Sequence, residues 1–277
     1  MCLTAILVTA YLVNQIFDRE SDRLNHKGHY LTDGLLSVRT IVAMALVFFV
    51  TAAIAFRDAV PAQRIPLAVS LVVSLVYSLP PIRLCARPFA DLAANALGYG
   101  GLAFVIGFAS RSEYVISAWL RSLPWVLMVG ATFLHTTILD IDGDDRSGKI
   151  TTSVKIGVGW SALLAVLLAA AGTGWAWAVS WRSRGDLVAP VVLTISLAAF
   201  FYAYVRVRRV GLSSGDQSQR VSSNAVQLST FTATAAAVIF APLYLLLLVP
   251  LVILSRFYYR ARFGLRYPGP ARAARDA

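Results

Sequence analysis

Residues 118–139 read AWLRSLPWVLMVGATFLHTTIL, and DIDGDDRSGK follows at once at residues 140–149. The first stretch is apolar apart from Arg121 and His135, and about 20 such residues form a helix that crosses a bilayer. The whole chain has the same character, since 58% of its 277 residues are hydrophobic and only 14% are charged. A soluble domain has about 45–50% apolar and about 25% charged residues. This composition excludes a soluble enzyme and a disordered chain, and it indicates a membrane protein.

Eight stretches of the chain are apolar enough to be interpreted as membrane spans. Short connectors rich in polar residues, Gly or Pro separate them. Because lipid permits only helices or closed barrels, and no alternating strands occur in the sequence, we predict one polytopic bundle of helices. The predicted spans are residues 2–17, 38–56, 65–79, 92–109, 118–139, 158–181, 187–205 and 226–254. Residues 1–255 are predicted to form one transmembrane domain and residues 256–277 a basic tail.

The charged residues divide unequally between the two sides of this bundle. Counted with the adjoining span ends, which add Arg39 and Arg121, the connectors after odd-numbered spans hold thirteen lysines and arginines and ten of the fourteen acidic residues, whereas even-numbered connectors hold six basic residues. The positive-inside rule therefore places the odd connectors in the cytoplasm, in a prokaryotic-type inner membrane. The net charge of +11 then reflects arginines at helix ends, not nucleic-acid binding. After eight spans the basic tail would lie outside, so either the tail is tolerated there or one span is miscounted.

The first acidic cluster follows the first predicted span, where residues 14–23 read NQIFDRESDR. A spacing of four places Asn14, Asp18 and Asp22 on one helix face. Like charges on one face repel each other unless a cation lies between them. Carboxylate and amide oxygens are ligands that Mg²⁺ accepts together with substrate phosphates. The alternative is a solvated helix end in which Arg19 and Arg23 balance the acids.

The second acidic cluster ends the span at residues 118–139. Asp140 and Asp144 repeat the four-residue spacing, and Gly143 and Gly148 are typical of a chain that leaves a helix and turns. A calcium loop is disfavoured, because an EF-hand has its glycine at position six and a glutamate at position twelve. Position twelve from Asp140 is Thr151.

The two clusters lie 122 residues apart but on the same predicted side of the membrane. Arg146 and Lys149 stand beside the second cluster, which suits a site that holds metal and phosphate together. Facing aspartate-rich helix ends can bind several Mg²⁺ ions around one diphosphate and help a carbon–oxygen bond to ionise. The apolar bundle would enclose a long hydrocarbon chain. The residues therefore point to a lipid diphosphate as substrate.

Residues 77–84 read YSLPPIRL and residues 144–151 read DDRSGKIT. With N-x3-D-x3-D at 14–22 and D-x3-D at 140–144, these motifs resemble those of the UbiA superfamily of intramembrane prenyltransferases. The resemblance covers residues 5 to about 254, with Asp145 as an insertion. It implies an all-helical bundle, usually of nine helices, with a cytoplasmic polar cap and a lateral opening to lipid. Since the family's first motif follows a complete first helix, we expect that helix to be missing or truncated here.

The resemblance implies Mg²⁺-dependent transfer of a prenyl group from a prenyl diphosphate to a small-molecule acceptor within the membrane lipid, with release of diphosphate. By motif position, the metal ligands would be Asn14, Asp18, Asp22, Asp140 and Asp144. The residues that bind the diphosphate would be Arg23, Arg83, Arg146 and Lys149. Tyr77 would shield an allyl cation with its ring, and Asp140 would deprotonate an aromatic acceptor. The alternative for Tyr77 is a tyrosine of an interfacial aromatic belt.

Two predictions have alternatives: the chemical class of the acceptor and the function itself. An aromatic quinone precursor is the favoured acceptor, but Gln15 and the run RLNHKG at residues 23–28 depart from several quinone-pathway members. A lipid glycerol phosphate, a tetrapyrrole or a sugar phosphate is the alternative acceptor. The alternative functions are an inactive or truncated copy and an ion-coupled carrier, although carriers bind substrate near the midplane and these acids crowd one face.

Three further polar residues have two interpretations each. Asp91 and Asn95, four residues apart at a predicted helix start, suit either a helix cap or acceptor binding. His135, inside the fifth span, is interpreted as a hydrogen-bonded core histidine, with a place in the acceptor pocket as the alternative.

Overall fold

The computed structural model describes residues 1–25, 29–110, 115–183, 187–210 and 215–263, and every regular element within these ranges is helical. The predicted all-helical class is confirmed. The first half contains α1 (Cys2–Phe17), α2 (Arg19–Leu24), α3 (His29–Thr32), α4 (Val38–Arg57) and α5 (Pro61–Ser78). A 3₁₀ turn (Leu84–Ala86) precedes α6 (Ala90–Asn95), a π-helical turn (Ala96–Leu102) and α7 (Ala103–Ala109), which together form one continuous segment. The second half contains α8 (Val115–Arg146), α9 (Thr152–Ser183), α10 (Val188–Val210), α11 (Gly215–Phe240) and α12 (Leu245–Phe263).

Within the part of the chain that the structure describes, five segments are long and apolar enough to cross a membrane. They are Val38–Arg57, Ala90–Ala109, Ile116–Arg146, Thr152–Ser180 and Val188–Arg209, and Cys2–Phe17 and Pro242–Leu254 are shorter apolar helices. The outer face of α4 shows why water is not the solvent here. Leu46, Val47, Val50 and Ile54 are each more than half exposed along this face. A continuous apolar face of this kind is suited to lipid, and the chain is an integral membrane protein.

Small residues let the helices of the bundle approach closely. Ala131 on α8, Ala165 and Ala169 on α9 and Ala203 on α10 are all buried in one core cluster. Without a hydrophobic driving force between helices in lipid, such close backbone approach supplies the packing energy. Gly100 in the π-helical turn marks one close approach, since a Cβ there would lie 2.5 Å from the Val126 Cα on α8.

The packing order brings the two acidic clusters together. In the first half, α1 packs against α4 and α5. In the second half, α8 packs against α9 and α11, and it also contacts α2 and the π-helical turn. Thus α8 joins the two halves, and its C-terminal end meets the short helix that follows α1.

The predicted span at residues 226–254 is wrong as a single helix. The structure ends α11 at Phe240 and begins α12 at Leu245, with a 3₁₀ turn over Pro242–Tyr244 between them. Pro242 has no N–H to donate and disfavours helical geometry at the residue before it, and Ala241 accordingly has φ −140° and ψ 75°. Helix α12 runs on to Phe263, into the predicted basic tail, while residues 264–277 lie outside the described residues.

Candidate active site

A cavity of about 280 Å³ lies where α1, α5, α6 and α8 meet. Seven of the ten predicted site residues line it: Asn14, Asp18, Asp22, Tyr77, Asp140, Asp144 and Lys149. About two to three helical turns before these acids, the lining becomes apolar, with Leu7 and Ala10 on α1 and Phe133 on α8. The cavity therefore has an acidic end and an apolar interior.

Asp18 lies at a break between two helices. Helix α1 ends at Phe17 and α2 begins at Arg19, while Asp18 itself has φ −95° and ψ 5°. Its side chain is buried, and Asn14 Nδ2 donates to its Oδ2 over 2.9 Å. Asn14 Nδ2 also lies 3.3 Å from Ser78 Oγ at the end of α5. The first cluster is thus held by a contact to a second helix as well as by its own spacing.

Lys149 connects the two clusters. Its Nζ donates to Asp18 Oδ2 over 2.8 Å and lies 3.7 Å from Asp144 Oδ1. Burial lowers the pKa of Lys149, but the charges of Asp18 and Asp144 outweigh burial and hold that pKa above its ordinary value. The ammonium group is therefore protonated at neutral pH, and it offsets the repulsion between two buried carboxylates.

Arg83 and Cys85 contact Asp18 from the other side. Arg83 has φ +42°, a left-handed conformation that non-glycine residues adopt rarely and often at functional sites. Its Nη2 lies 3.6 Å from Asp18 Oδ1 and donates to the Phe17 carbonyl over 3.1 Å, while within the described residues its buried Nε has no hydrogen-bond partner. Cys85 Sγ lies 3.9 Å from Asp18 Oδ1, and burial, with the Asp18 charge, raises the pKa of the thiol to about 11.

Three predicted diphosphate ligands do not line the cavity. Arg83 still contacts the lining residue Asp18, whereas Arg23 and Arg146 are exposed. Arg23 on α2 pairs with Glu20, with 2.6 Å between Nη2 and Oε1 and 3.1 Å between Nε and Oε2, and both side chains are exposed. Arg146 is exposed on the last turn of α8 and does not line the cavity either. An acid three residues before an arginine on a helix is a favourable partner, and that signal predicts the Arg23 pair.

Asn25 is the residue that sequence reasoning overlooked. Its Nδ2 donates to the Asp140 carbonyl oxygen over 3.1 Å, and the Gly143 N–H donates to its Oδ1 over 3.0 Å. Gly143 lies inside α8, because this helix runs on to Arg146. The prediction that the chain leaves the helix at Gly143 is wrong. Gly148, with φ +75°, does lie in the turn after α8.

Tyr77 and Asn95 line the side of the cavity. Asn95 Nδ2 donates to the Asp91 carbonyl over 3.0 Å. Asp91 is fully buried and accepts from the Leu92 N–H over 2.8 Å, from the Thr152 N–H over 2.8 Å and from the Thr152 hydroxyl. Asp91 therefore accepts from an N–H in the first turn of its own helix and also holds the first residue of α9.

His135 is part of the core. Its ring is fully buried, stacks on Phe200 with 4.8 Å between centroids, and places Nδ1 3.2 Å from Ser222 Oγ. It lines neither the main cavity nor the cavity beside it. The interpretation as a hydrogen-bonded core histidine is confirmed.

A second cavity of about 350 Å³ adjoins the first. Both are lined by Asn95, Phe133 and Thr136, and the second extends between α8, α10 and α11. Its other lining residues are apolar or carry hydroxyl groups, such as Ser196 and Ser229. Among the described residues that line it, none is charged.

The donor set suits a hard cation shared with a phosphate group. Among the described residues, no three acidic, histidine or cysteine side chains already form a metal cluster. Mg²⁺ does not need one, because it usually takes one or two carboxylates and completes its shell with water and substrate phosphates. The oxygen donors of the two clusters meet this requirement. Fold and site together define a helical membrane protein with a cavity whose acidic end has oxygen donors of the type that suits a metal ion and a phosphate group.

Comparison with known proteins identifies the family. The model of the UbiA prenyltransferase family matches residues 1–224, and the chain belongs to this family. The fold agrees with a solved structure of a UbiA homolog from Archaeoglobus fulgidus bound to DMAPP and Mg²⁺. The two share a TM-score of 0.58 at 17% identity, over 84% of this chain and 88% of that one.

Curated relatives differ in the acceptors that their names state. The chain is 29% identical to 2-acylphloroglucinol 4-prenyltransferase of Humulus lupulus, over 67% of this chain and 48% of that protein. It is 28% identical to digeranylgeranylglyceryl phosphate synthase of Methanoregula boonei, over 70% of each. A homogentisate geranylgeranyltransferase of Triticum aestivum is 29% identical over 55% of this chain and 41% of that protein. The chain thus spans about half the length of the Humulus relative.

Proposed function

We propose that this chain transfers a prenyl group from a prenyl diphosphate to an acceptor, with Mg²⁺ as cofactor and diphosphate as leaving group. The observation that carries the proposal is the position of Lys149 between Asp18 and Asp144. Two acidic clusters from distant parts of the chain share one cavity, and the Lys149 ammonium group lies between an acid of each. Such a site suits a metal-bound anionic headgroup, which would replace the contacts of Asp18 and Asp144 with Lys149.

The proposed metal ligands lie on both sides of the cavity's acidic end. Asn14, Asp18 and Asp22 would hold Mg²⁺ from the α1–α2 side. Asp140 and Asp144 would hold it from α8. The bound metal would neutralise the charge that develops on the departing diphosphate. The protein's own contribution is to fix these oxygens around the headgroup.

Lys149 and Arg83 are the proposed diphosphate-binding cations. Lys149 lines the cavity, and Arg83 has a buried Nε without a hydrogen-bond partner among the described residues. A phosphate oxygen would satisfy that donor. The positions of Arg23 and Arg146 give no support to their predicted roles, because Arg23 is paired with Glu20 and both arginines are exposed.

The proposed reaction breaks the bond between the prenyl carbon and the diphosphate oxygen, and the electron pair leaves with diphosphate. The acceptor's nucleophilic atom forms the new bond to that carbon and loses a proton, which Asp140 would take. The Tyr77 ring would shield the allyl cation through its π face. The ring belongs to the cavity wall, where such a cation would form.

An aromatic acceptor is the proposed substrate class. The cavity beside the main one has no charged lining residue in the described part of the chain, which suits a neutral ring. Acylphloroglucinol and homogentisate, named for two relatives, are aromatic.

We place the acidic end at the cytoplasmic face of a prokaryotic inner membrane, because most basic residues lie in the connectors on the same side as the acidic clusters. Residues 1–255 would form the membrane domain and residues 256–277 its basic tail.

The test is a turnover assay with the purified chain in lipid nanodiscs. Geranylgeranyl diphosphate is supplied with homogentisate, an acylphloroglucinol or geranylgeranylglyceryl phosphate, with Mg²⁺ or with EDTA. We expect a prenylated aromatic product that requires Mg²⁺ and is lost in Asp144→Asn. Asp142→Asn is the matched control, because Asp142 is exposed on the same helix end. Product from the glycerol phosphate alone would overturn the aromatic assignment, and no product from any acceptor would contradict the enzyme assignment.

A further inference from the structure

The separation of the two acidic clusters depends on a short helix. Helix α2, at Arg19–Leu24, has six residues and follows the break at Asp18. A helix this short has little stability of its own, so its position is set by tertiary contacts. Asp22 lies on α2 and lines the cavity. Whatever fixes α2 against α8 therefore also fixes Asp22 relative to Asp140 and Asp144.

Asn25, the residue directly after α2, makes that connection with both ends of its amide. It donates to the backbone of Asp140 and accepts from the backbone of Gly143, which lie 115 and 118 residues further along the chain. Asp140 lines the cavity, and Gly143 directly precedes Asp144, the second lining acid of α8. The bridge therefore acts on the turn of α8 that carries the second cluster.

Gly143 provides the space for this amide. A Cβ added there would overlap the Asn25 amide, and the three nearest atoms are all from that group. Any other residue at position 143 would displace Asn25 or open the contact between α2 and α8. The glycine and the asparagine thus form one unit.

We propose that Asn25, seated against Gly143, is a positioning residue that sets the separation of the two acidic clusters. This inference rests on the proposed function, since the separation matters for the metal–diphosphate group that the clusters would bind. An amide is required because the contact needs a donor and an acceptor at once. An aspartate would keep the shape but lose the donor, and it would add negative charge beside Asp140 and Asp144.

The first experiment needs no ligand. Spin labels at Arg19→Cys on α2 and Asp145→Cys on α8, both exposed positions, report the distance between the two helix ends in nanodiscs. Both native cysteines are buried, and a sample without the introduced cysteines measures any labelling of them. We expect a narrow distance distribution in the parent protein, a broadened one in Asn25→Ala and Asn25→Asp, and a shifted one in Gly143→Ala.

Matched controls separate positioning from a general loss of packing. Asn224→Ala removes an exposed amide on α11, and Gly174→Ala adds a Cβ to a helix where it meets no atom within 4 Å. Both controls should keep the parent distribution. The double variant Asn25→Ala/Gly143→Ala removes the overlap along with the amide, so its defect should be no larger than that of Asn25→Ala alone.

The second readout is the Mg²⁺ concentration that half-saturates binding of geranylgeranyl thiodiphosphate. Groups that orient metal ligands typically change metal affinity by about 10–100-fold, so Asn25→Ala and Gly143→Ala should raise this concentration by about that factor. The proposal would be overturned if Asn25→Ala kept the parent's distance distribution and needed a half-saturating Mg²⁺ concentration within about twofold of the parent's. A lower melting temperature in that variant would not change this conclusion. If the parent binds no donor analogue while the distances still respond to Asn25→Ala, the proposed function fails and the positioning role stands.

Discussion

The two acidic clusters share a four-residue spacing but are built on different backbones. Asp18 in the first cluster lies at a break between α1 and α2, whereas Asp140 and Asp144 follow each other on the continuous helix α8. The first cluster takes its geometry from side chains elsewhere in the chain, through Ser78, Lys149 and Arg83. The second takes it from helical regularity, with Asn25 attached to its backbone.

This difference separates two ways of holding a carboxylate in an apolar protein. A carboxylate on a regular helix needs little support from distant residues to keep its place. A carboxylate at a break keeps its place only while its distant partners are present. Substitutions in the first cluster should therefore disturb both the ligand set and the local geometry, and substitutions in the second mainly the ligand set.

The largest effect is expected from Asp18→Asn. This change removes the carboxylate that Lys149 and Arg83 both contact, so it takes away a proposed ligand and the charge that orders two cations. We expect the affinity for geranylgeranyl thiodiphosphate with Mg²⁺ to fall by at least about 100-fold. Titration calorimetry measures this affinity. An Asp144→Asn variant that loses far more affinity than Asp18→Asn would reverse the comparison.

Lys149→Met should destabilise the protein most when Mg²⁺ is absent. Removal of one partner of a buried ion pair costs about 3–5 kcal/mol, because the remaining charge is left uncompensated. Here two carboxylates would be left, and a bound divalent cation would offset part of that loss. Thermal unfolding in detergent, with and without Mg²⁺, checks this. Equal stabilisation of the parent and the variant by Mg²⁺ would show that the metal does not bind between these acids.

Arg83→Ala and Arg23→Ala should differ, although the sequence predicts both arginines as diphosphate ligands. Arg83 contacts Asp18 and has a spare donor, so its loss should weaken donor binding by about tenfold. Arg23 forms an exposed pair with Glu20, and such pairs contribute about 0–1 kcal/mol, so donor affinity should stay within about twofold. The same calorimetric titration applies. Equal losses in the two variants would place Arg23 at the diphosphate after all.

The smallest effect on binding is expected from Asp91→Ala. Asp91 holds the start of α9 but does not line the cavity, so its loss should remove the acceptor of the Thr152 N–H and hydroxyl and lower stability by about 1–3 kcal/mol. Donor affinity should change by about twofold or less at temperatures where the variant is folded. Leu92→Ala at the neighbouring position, half-buried, serves as a packing control. A large loss of affinity in Asp91→Ala alone would point to acceptor or donor contacts.

Residue spacing predicted much of this architecture. The i, i+4 pattern of Asn14, Asp18 and Asp22 and the apolar run before Asp140 were enough to place both clusters at helix ends. The sequence predicts Lys149 as a diphosphate ligand because a cation beside acids suits phosphate, and the structure places its ammonium group between the two clusters. The roles of these residues as metal and diphosphate ligands stay predictions.

Long-range side-chain contacts left no signal in the sequence. Asn25 lies 115 residues from its partner, and no periodicity connects the two. Asp91 was interpreted from its own helix, yet it also holds Thr152 at the start of α9. In contrast, the break at Pro242 could have been predicted, because a proline after a long apolar run favours the end of a helix.

The most direct measurement is Mg²⁺-dependent binding of geranylgeranyl thiodiphosphate to the purified chain, with Asp18→Asn and Asp142→Asn alongside. If the two clusters form one site, the parent and Asp142→Asn bind the analogue saturably only with Mg²⁺, and Asp18→Asn does not. Binding that persists in EDTA, or that is equal in Asp18→Asn and the parent, would contradict a shared metal–diphosphate site between the clusters.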